Sequence, residues 1–351
     1  IGSLLLKISF FLRLPINKLI KKTIFNQFCG GENIQDCSNR INELYEFGIG
    51  TILDYSVEGK ENESDFEKTK EEIIQTILFS SKNSKIPFTV FKITGLGKSS
   101  LIKKASLDFQ SLKDNELAEL NLVAIRVDEI CRVASENRVS VFVDAEDSWY
   151  QDYIDKVVES MIFKYNNEFS IVYNTIQLYR HDRLQYMKDL ISRCNSNGKK
   201  IGLKLVRGAY MEKEREQAFK KNYPDPIQKD KQATDNDFTK AVEFCIENIK
   251  TVSLCAGTHN EKSVLDLTSL MQKKAFKKND SRIWFAQLLG MSDHISFNLS
   301  KEGYNVAKYV PYGPIKEVIP YLIRRAEENT SVSGQTGREL SLIKIEVERR
   351  N

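Results

Sequence analysis

The sequence predicts an α/β protein, a (β/α)8 barrel, and three observations support this. Eight short runs rich in β-branched and aromatic residues follow one another after residue 48. Longer segments with apolar residues at three- and four-residue spacing lie between the runs, for example 63–80, 117–137 and 238–248. Polar residues follow the apolar part of seven of the runs. Alternating strands and helices favour parallel pairing, and eight such units are the number that closes a barrel.

The eight predicted strands, in chain order, are 51–57, 88–94, 140–144, 170–177, 201–206, 252–257, 282–288 and 305–310. Segment 220–231 contains two prolines and many charges, and it is predicted to be a long loop after the fifth strand. A doubly wound open sheet is the alternative fold, but no glycine fingerprint supports it. The segment 95–99 resembles the end of a phosphate-binding loop, yet Lys92 stands where the first glycine of that motif belongs.

Residues 1–47 are predicted to form a helical arm in front of the barrel domain, 48–351. Residues 4–12 are apolar but far shorter than the about 20 residues that cross a bilayer. A helix that packs on the domain is the favoured interpretation. A helix at a membrane surface is the alternative, because Lys18, Lys21 and Lys22 follow.

Composition excludes several function classes. Lysine and arginine together number 52 against 48 acidic residues, an excess too small to indicate a nucleic-acid partner. The six cysteines form no C-x-x-C pair, so free, mostly buried thiols in a reducing compartment are expected. Three histidines without paired spacing predict that there is no metal site.

Candidate functional residues lie at the predicted carboxyl ends of the strands, where a parallel barrel forms its active site. A predicted helix near the end of the chain adds the adjacent pair Arg324 and Arg325. Paired arginines can clamp a carboxylate or phosphate. A solvated helix face, salt-bridged to Glu327 and Glu328, is the alternative, and this motif alone favours it.

Five motifs stand in these segments: DAE at 144–146, KLVRGAY at 204–210, THN at 258–260, QLLGM at 287–291 and YLIRRAEEN at 321–329. Together they closely resemble the proline dehydrogenase family, over roughly residues 25–345. The resemblance implies a distorted (β/α)8 barrel whose last helix lies over the carboxyl ends of the strands. It also implies an enzyme with that one activity, which oxidises L-proline to Δ1-pyrroline-5-carboxylate by hydride transfer to FAD and passes the electrons to quinone.

A related cyclic amino acid such as hydroxyproline is the alternative substrate. The resemblance further implies a cytoplasmic protein with possible peripheral contact at the inner membrane, or a mitochondrial one if the source is eukaryotic.

The resemblance also assigns site residues. Asp144 and Lys204 are implied to be catalytic, and Lys204 stands where many bacterial members have arginine. The residues implied to bind substrate are Lys92, Arg324 and Arg325 on the carboxylate and Tyr309 against the ring, with Glu58 as a gate that pairs with Arg324. The residues implied to line the FAD are Ala145, Gln177, Val206, Arg207, Gly208, Ala209, Tyr210, Thr258, His259, Asn260, Gln287, Leu289 and Glu328. Of these, Arg207 and His259 suit a pyrophosphate, and Gly208 permits close backbone approach.

Two other interpretations compete with this one, a second kind of enzyme and a non-catalytic protein. In a Schiff-base aldolase, Lys204 would be the nucleophile at a strand end. A non-catalytic amino-acid-binding module would keep the two arginines but has no use for the motifs at 204–210 and 258–260 together.

Overall fold

The protein is a closed barrel of eight parallel strands in chain order. The computed structural model describes residues 24–57, 61–331 and 344–350, with the side chains of 326–331 excepted. The strands are β1 (Gly50–Tyr55), β2 (Phe88–Phe91), β3 (Ser140–Val143), β4 (Val172–Gln177), β5 (Ile201–Val206), β6 (Val252–Gly257), β7 (Ile283–Leu288) and β8 (Val306–Tyr312). β8 pairs with β1 over its length, from Ala307 opposite Gly50 to Tyr312 opposite Tyr55. The predicted barrel is confirmed.

Helices connect successive strands, and further helices precede β1 and follow β8. Those of nine residues or more in the described chain are α1 (Ser38–Glu46), α2 (Glu63–Ser81), α3 (Ser99–Leu107), α4 (Asp114–Glu136), α5 (Ser148–Tyr165), α6 (Arg183–Ser196), α7 (Met211–Lys221), α8 (Lys231–Glu247), α9 (Glu261–Lys273), α10 (Asp293–Lys301) and α11 (Ile315–Ser331). Three of them begin at a residue whose side chain caps the helix. The first is α2, where the Asn62 side chain accepts from the N–H of Asp65. The Asp230 carboxylate accepts from the N–H of Ala233 at α8, and Asn260 accepts from the N–H of Ser263 at α9.

Several predicted boundaries are wrong by one to three residues, for example those of 51–57, 170–177 and 305–310. The expected loop at 220–231 is shorter, because α7 continues to Lys221 and ends at Asn222, which has a left-handed φ of 53°. Pro224 and Pro226 then keep the connection from continuing as a helix. β2 ends at Phe91 rather than at residue 94, because the backbone turns at Ile93–Gly95 and the Gly95 N–H donates to the Lys92 carbonyl.

The apolar core has two parts. Inside the barrel, Phe88, Phe142 and Tyr173 pack edge to face or stacked, with ring centroids 4.5–5.5 Å apart. A larger cluster lies between the strands and the surrounding helices. Residues that point inward along a strand pack in the barrel interior, and those that point outward pack under the helices. Both faces of the sheet are therefore covered. The six cysteines are buried and free, as expected.

Segment 24–31 lies against the last helix of the barrel. Phe25 and Phe28 pack with Val318 and Leu322 of α11. The Gly30 N–H donates to the Pro311 carbonyl at 2.8 Å, which ties this segment to β8. Residues 1–23, including the predicted apolar stretch and its lysines, lie outside the described residues. The arm boundary at residue 47 stays a prediction.

Within the described ranges, none of the helices combines the length and the apolar character needed to cross a bilayer.

Candidate active site

Lys204, Asp144 and Tyr309 form one hydrogen-bonded cluster at the carboxyl-end opening of the barrel, here called the mouth. Lys204 lies on β5, Tyr309 on β8, and Asp144 directly after β3. The Lys204 ammonium donates to Asp144 Oδ1 and to the Tyr309 hydroxyl, which itself donates to Asp144 at 3.2 Å. Burial and the charge of Asp144 raise the pKa of Tyr309 well above its usual value, so the phenol keeps its proton. The structure thus joins three residues that the sequence placed on separate strands.

Aromatic rings surround the Lys204 ammonium. Its Nζ lies 4.7 Å from the ring centroid of Tyr309 and 5.5 Å from that of Phe142. The side chain of Lys204 is only 5% exposed. Fixed on one side by the Asp144 carboxylate and on the other by ring faces, the ammonium is a pre-organised positive charge at the mouth.

Asp54 is a buried acid that the sequence reasoning missed. It lies on β1, and the Ser56 hydroxyl donates to its Oδ2 at 2.5 Å. Burial raises the pKa of Asp54 to about 6, the nearby charges of Lys92 and Lys204 lower it, and Asp144 raises it. The sequence carried a signal, since Asp54 is an acid inside an apolar strand and two residues after Ile52, which faces the barrel interior.

Glu146 is a second buried acid that no assignment included. Its Oε1 accepts from the N–H of Thr94 at 3.0 Å, and its Oε2 accepts from the Thr94 hydroxyl. Burial raises the pKa of Glu146 to about 7, against the charge of Lys92 and the hydrogen bonds from Thr94, which lower it. Glu146 therefore changes its charge close to neutral pH and next to a residue with an implied role in substrate binding.

These raised pKa values predict that the free energy of unfolding falls as pH rises through the neutral range. An acid whose folded pKa lies above its unfolded value stabilises the fold at low pH, and that contribution is lost as pH rises through the folded pKa. For Glu146 the window runs from the ordinary glutamate pKa of 4.5 to about 7. Between pH 5 and 8, wild type should lose on the order of 2–3 kcal/mol more than Glu146→Gln in urea unfolding of the flavin-free protein. Parallel pH curves for the two proteins would contradict the raised pKa.

Arg207 is held by three side chains of the protein. Its Nε donates to Asp235 at 2.7 Å, and its two terminal nitrogens donate to Thr258 Oγ1 and Ser263 Oγ, both at 2.8 Å. The guanidinium also lies 4.5 Å from the ring centroid of Phe238. This fixed fork links the end of β5 to the end of β6, so Arg207 also organises the loop that contains Thr258.

Whether the site fits a flavin can be judged from the surroundings of three residues assigned to it: Gln177, Gly208 and Gln287. The side-chain oxygen of Gln177 is buried and has no hydrogen-bond partner among the described residues. Gly208 has a φ of 132°, and a Cβ there would lie 2.4 Å from the Tyr179 ring. Gln287 is fixed, since it donates to the Thr258 carbonyl at 3.1 Å and accepts from the Ser296 hydroxyl at 2.8 Å. Glycine is required at 208 because the Tyr179 ring occupies the space of a side chain. The evidence for a ligand is the buried Gln177 oxygen, since an acceptor without a donor among the described residues fits a polar ligand such as a flavin.

His259 lies after β6, and its Nδ1 is 2.9 Å from the Ser292 hydroxyl. Burial, together with the smaller effects of the Lys308 and Arg325 charges, lowers the pKa of His259 to about 3. The expected contact with a pyrophosphate would therefore be made by a neutral imidazole, unless the bound anion raises this pKa.

The other implied flavin residues lie at the same strand ends. Asn260 caps α9 through its side chain, and the Leu289 N–H donates to the Tyr309 carbonyl at 2.9 Å. Lys308, which is fully buried, was missed by the sequence reasoning, and its ammonium donates to the Met291 carbonyl at 2.5 Å and to Asp293 at 2.7 Å. It thus fixes the loop after β7. The remaining residues of this group are Ala145 after β3, Val206 at the end of β5, and Ala209 and Tyr210 before α7.

Arg324 and Arg325 both lie on α11. Arg325 is 7% exposed, and its guanidinium lies 5.3 Å from the Tyr321 ring centroid. Arg324 is half-buried. This burial argues against a solvated helix face for Arg325, and its charge acts on His259 after β6, so α11 reaches toward the carboxyl ends of the strands. Glu58 and the side chain of Glu328 lie outside the described residues, so their assignments stay predictions.

A comparison with models of protein families shows the family of this chain. The family model described as proline dehydrogenase matches residues 37–338. The chain belongs to this family. Proline dehydrogenase 1, mitochondrial, of Dictyostelium discoideum is 34% identical over 96% of this chain, and the hydroxyproline dehydrogenase of Xenopus laevis is 31% identical over 94%.

A solved structure shows the same fold as this proline dehydrogenase family member. Proline utilization A from Bdellovibrio bacteriovorus, inactivated by N-propargylglycine, matches 90% of this chain with a TM-score of 0.80 at 22% identity. The chain spans 66% of the Dictyostelium protein, 78% of the Xenopus protein and 34% of the proline utilization A chain.

Proposed function

We propose that the protein oxidises L-proline to Δ1-pyrroline-5-carboxylate, with FAD as its bound cofactor and a quinone as the electron acceptor. The observation that carries this proposal is the Lys204–Asp144–Tyr309 cluster at the mouth of a barrel of this family. It provides a fixed positive charge and a buried aromatic face. On β4, which pairs with β5, the buried side-chain oxygen of Gln177 lacks a hydrogen-bond partner among the described residues.

Three cations are proposed to bind the substrate carboxylate. They are Lys92 after β2 and Arg324 and Arg325 on α11. A hydrogen bond to a charged group contributes about 1.5–3 kcal/mol, and several from different elements fix the orientation of a small ring. Tyr309 supports the orientation, because Lys204 and Asp144 hold its hydroxyl and thus its ring plane.

The proposed oxidation removes a hydride and a proton from the substrate. The ring carbon next to the nitrogen loses a hydride and the nitrogen loses a proton to solvent, which leaves the C=N bond of the product. When bound, the flavin supplies the acceptor for that hydride, and the quinone finally takes two electrons and two protons. The residues proposed to hold the flavin are Ala145, Gln177, Val206, Arg207, Gly208, Ala209, Tyr210, Thr258, His259, Asn260, Gln287, Leu289 and Glu328.

Hydroxyproline is the second candidate substrate, because a relative at 31% identity is named hydroxyproline dehydrogenase. The position of Tyr309 favours proline. Its ring is 8% exposed and held at the hydroxyl, so it cannot easily move away from a 4-hydroxyl group on the substrate. Peripheral membrane contact, and a mitochondrial or cytoplasmic location, remain part of the proposal. Six relatives of the chain are named mitochondrial.

Anaerobic addition of L-proline to the FAD-loaded protein should bleach the flavin absorbance, and a soluble quinone should restore it. trans-4-Hydroxy-L-proline should bleach it at least about tenfold more slowly, the equivalent of ~1.4 kcal/mol. Stopped-flow absorbance measures both rates. A protein that takes up no FAD contradicts the cofactor assignment. Faster bleaching by hydroxyproline assigns the second candidate substrate.

A further inference from the structure

We propose that Glu146 positions Lys92 for the substrate carboxylate by holding, through both carboxylate oxygens, the turn that begins at Lys92. The inference rests on the proposed function, which makes the substrate carboxylate the partner of Lys92. Glu146 acts as a positioning residue, because its own contacts are with the protein.

Both carboxylate oxygens of Glu146 bind the same residue, Thr94, in the turn after β2. Lys92 caps the turn Ile93–Gly95, whose Gly95 N–H donates to the Lys92 carbonyl at 3.2 Å. Thr94 lies in that turn and gives its backbone N–H to one oxygen of Glu146 and its hydroxyl to the other. The backbone from which Lys92 extends is therefore held two residues away, by both oxygens of one carboxylate.

Glu146 is itself held by a buried chain of hydrogen bonds. Its N–H donates to Gln151 Oε1 at 2.9 Å, and Gln151 Nε2 donates to Asp155 Oδ1 at 3.0 Å. Arg183 of α6 completes the chain with a 2.6 Å bond to Asp155 Oδ2. Each of these four hydrogen-bonded residues is less than 9% exposed. A rigid support of this kind can transmit position to the turn after β2.

The charge of Lys92 acts on carboxyl groups from both strands that flank β2. Among the charged groups around Glu146 and around Asp54, Lys92 has the largest effect on each. Asp54 lies on β1 and Glu146 follows β3, and β2 pairs with both of these strands. Carboxyls from both sides thus act on one ammonium, and Glu146 is the one that also fixes its backbone.

Glu146→Ala should raise KM for L-proline about tenfold and change kcat less than about twofold, because a binding group is misplaced while the reacting atoms are not. Glu146→Gln keeps an acceptor for the Thr94 N–H, so it should keep KM within about threefold of wild type. Thr94→Val, which removes the hydroxyl alone, should raise KM about threefold and serves if Glu146→Ala does not fold.

A double-mutant cycle with Lys92→Met tests whether the effect acts through Lys92. In the Lys92→Met background, Glu146→Ala should leave KM unchanged, because the group that it positions is already absent. A tenfold rise in KM that persists in that background would overturn the inference. An unchanged KM in Lys92→Met itself would instead remove the substrate role of Lys92 from the proposed function, and this inference with it.

Glu214 provides a matched control. It is also buried, and it accepts the backbone N–H and the hydroxyl of one residue, Ser148, both at 2.6 Å. Its charged neighbours are Asp147 and Arg180 rather than Lys92. Glu214→Ala should lower the melting temperature as Glu146→Ala does and leave KM for proline unchanged. Equal KM values in the two variants would reduce Glu146 to a structural residue.

Discussion

Lys204→Met should lower kcat for L-proline about 10²–10³-fold, the effect of removing one pre-organised electrostatic contact from an enzyme site. The Lys204 ammonium is buried, is bonded to Asp144 and Tyr309, and lies between aromatic rings. Its charge is therefore fixed before the reaction begins, and water screens it little. The loss should appear in the rate of flavin bleaching in single-turnover stopped-flow experiments, with a smaller change in proline binding.

Lys204→Arg is the control for charge, and it should recover most of the rate because arginine keeps a cation at the end of β5. A second control separates catalysis from ion pairing. If Lys204 only neutralises Asp144, adding Asp144→Asn to Lys204→Met should restore activity. We expect no recovery in the double variant. Full recovery would show that the positive charge has no direct effect on the reaction.

Arg324→Met and Arg325→Met should each lower kcat/KM for L-proline about ten- to a hundredfold. Each arginine makes a charged hydrogen bond worth about 1.5–3 kcal/mol, and ~1.4 kcal/mol is a factor of ten. Most of the loss should be a raised KM, since the carboxylate is bound alike in ground and transition states. Pyrrolidine, which lacks the carboxylate, tests whether the arginines bind that group. If they do, the slow oxidation of pyrrolidine should hardly change in either variant.

Arg126→Met is the matched control for the loss of a buried arginine. Arg126 is 3% exposed, and it is bonded to Glu63, to Glu67 and to the Leu96 carbonyl. It belongs to α4, on the outside of the barrel. This variant should lower the melting temperature and raise KM at most about threefold, since Arg126 reaches the turn after β2 only through the single bond to Leu96. Wild-type kinetics in Arg324→Met and Arg325→Met would support a structural role for both.

The location of the site could be predicted from the sequence, but its internal contacts could not. Lys204 is 60 residues from Asp144 and 105 from Tyr309 along the chain. No local pattern specifies which strand ends meet across a barrel. The resemblance named these three residues, whereas closure of the barrel brought them into one cluster. Thr94 and Glu146, 52 residues apart, are joined in the same way.

The sequence by itself determined the alternation of strands and helices, and with it the barrel, because periodicity and turn residues are local properties of the chain. It also determined the family, through five ordered motifs. Only the tertiary structure decided which polar groups lose water. Asp54 and Glu146 have raised pKa values and His259 a lowered one because packing buries them. Arg207 is fixed because three separate segments converge on it. Burial and convergence depend on contacts between distant residues, which a single sequence does not specify.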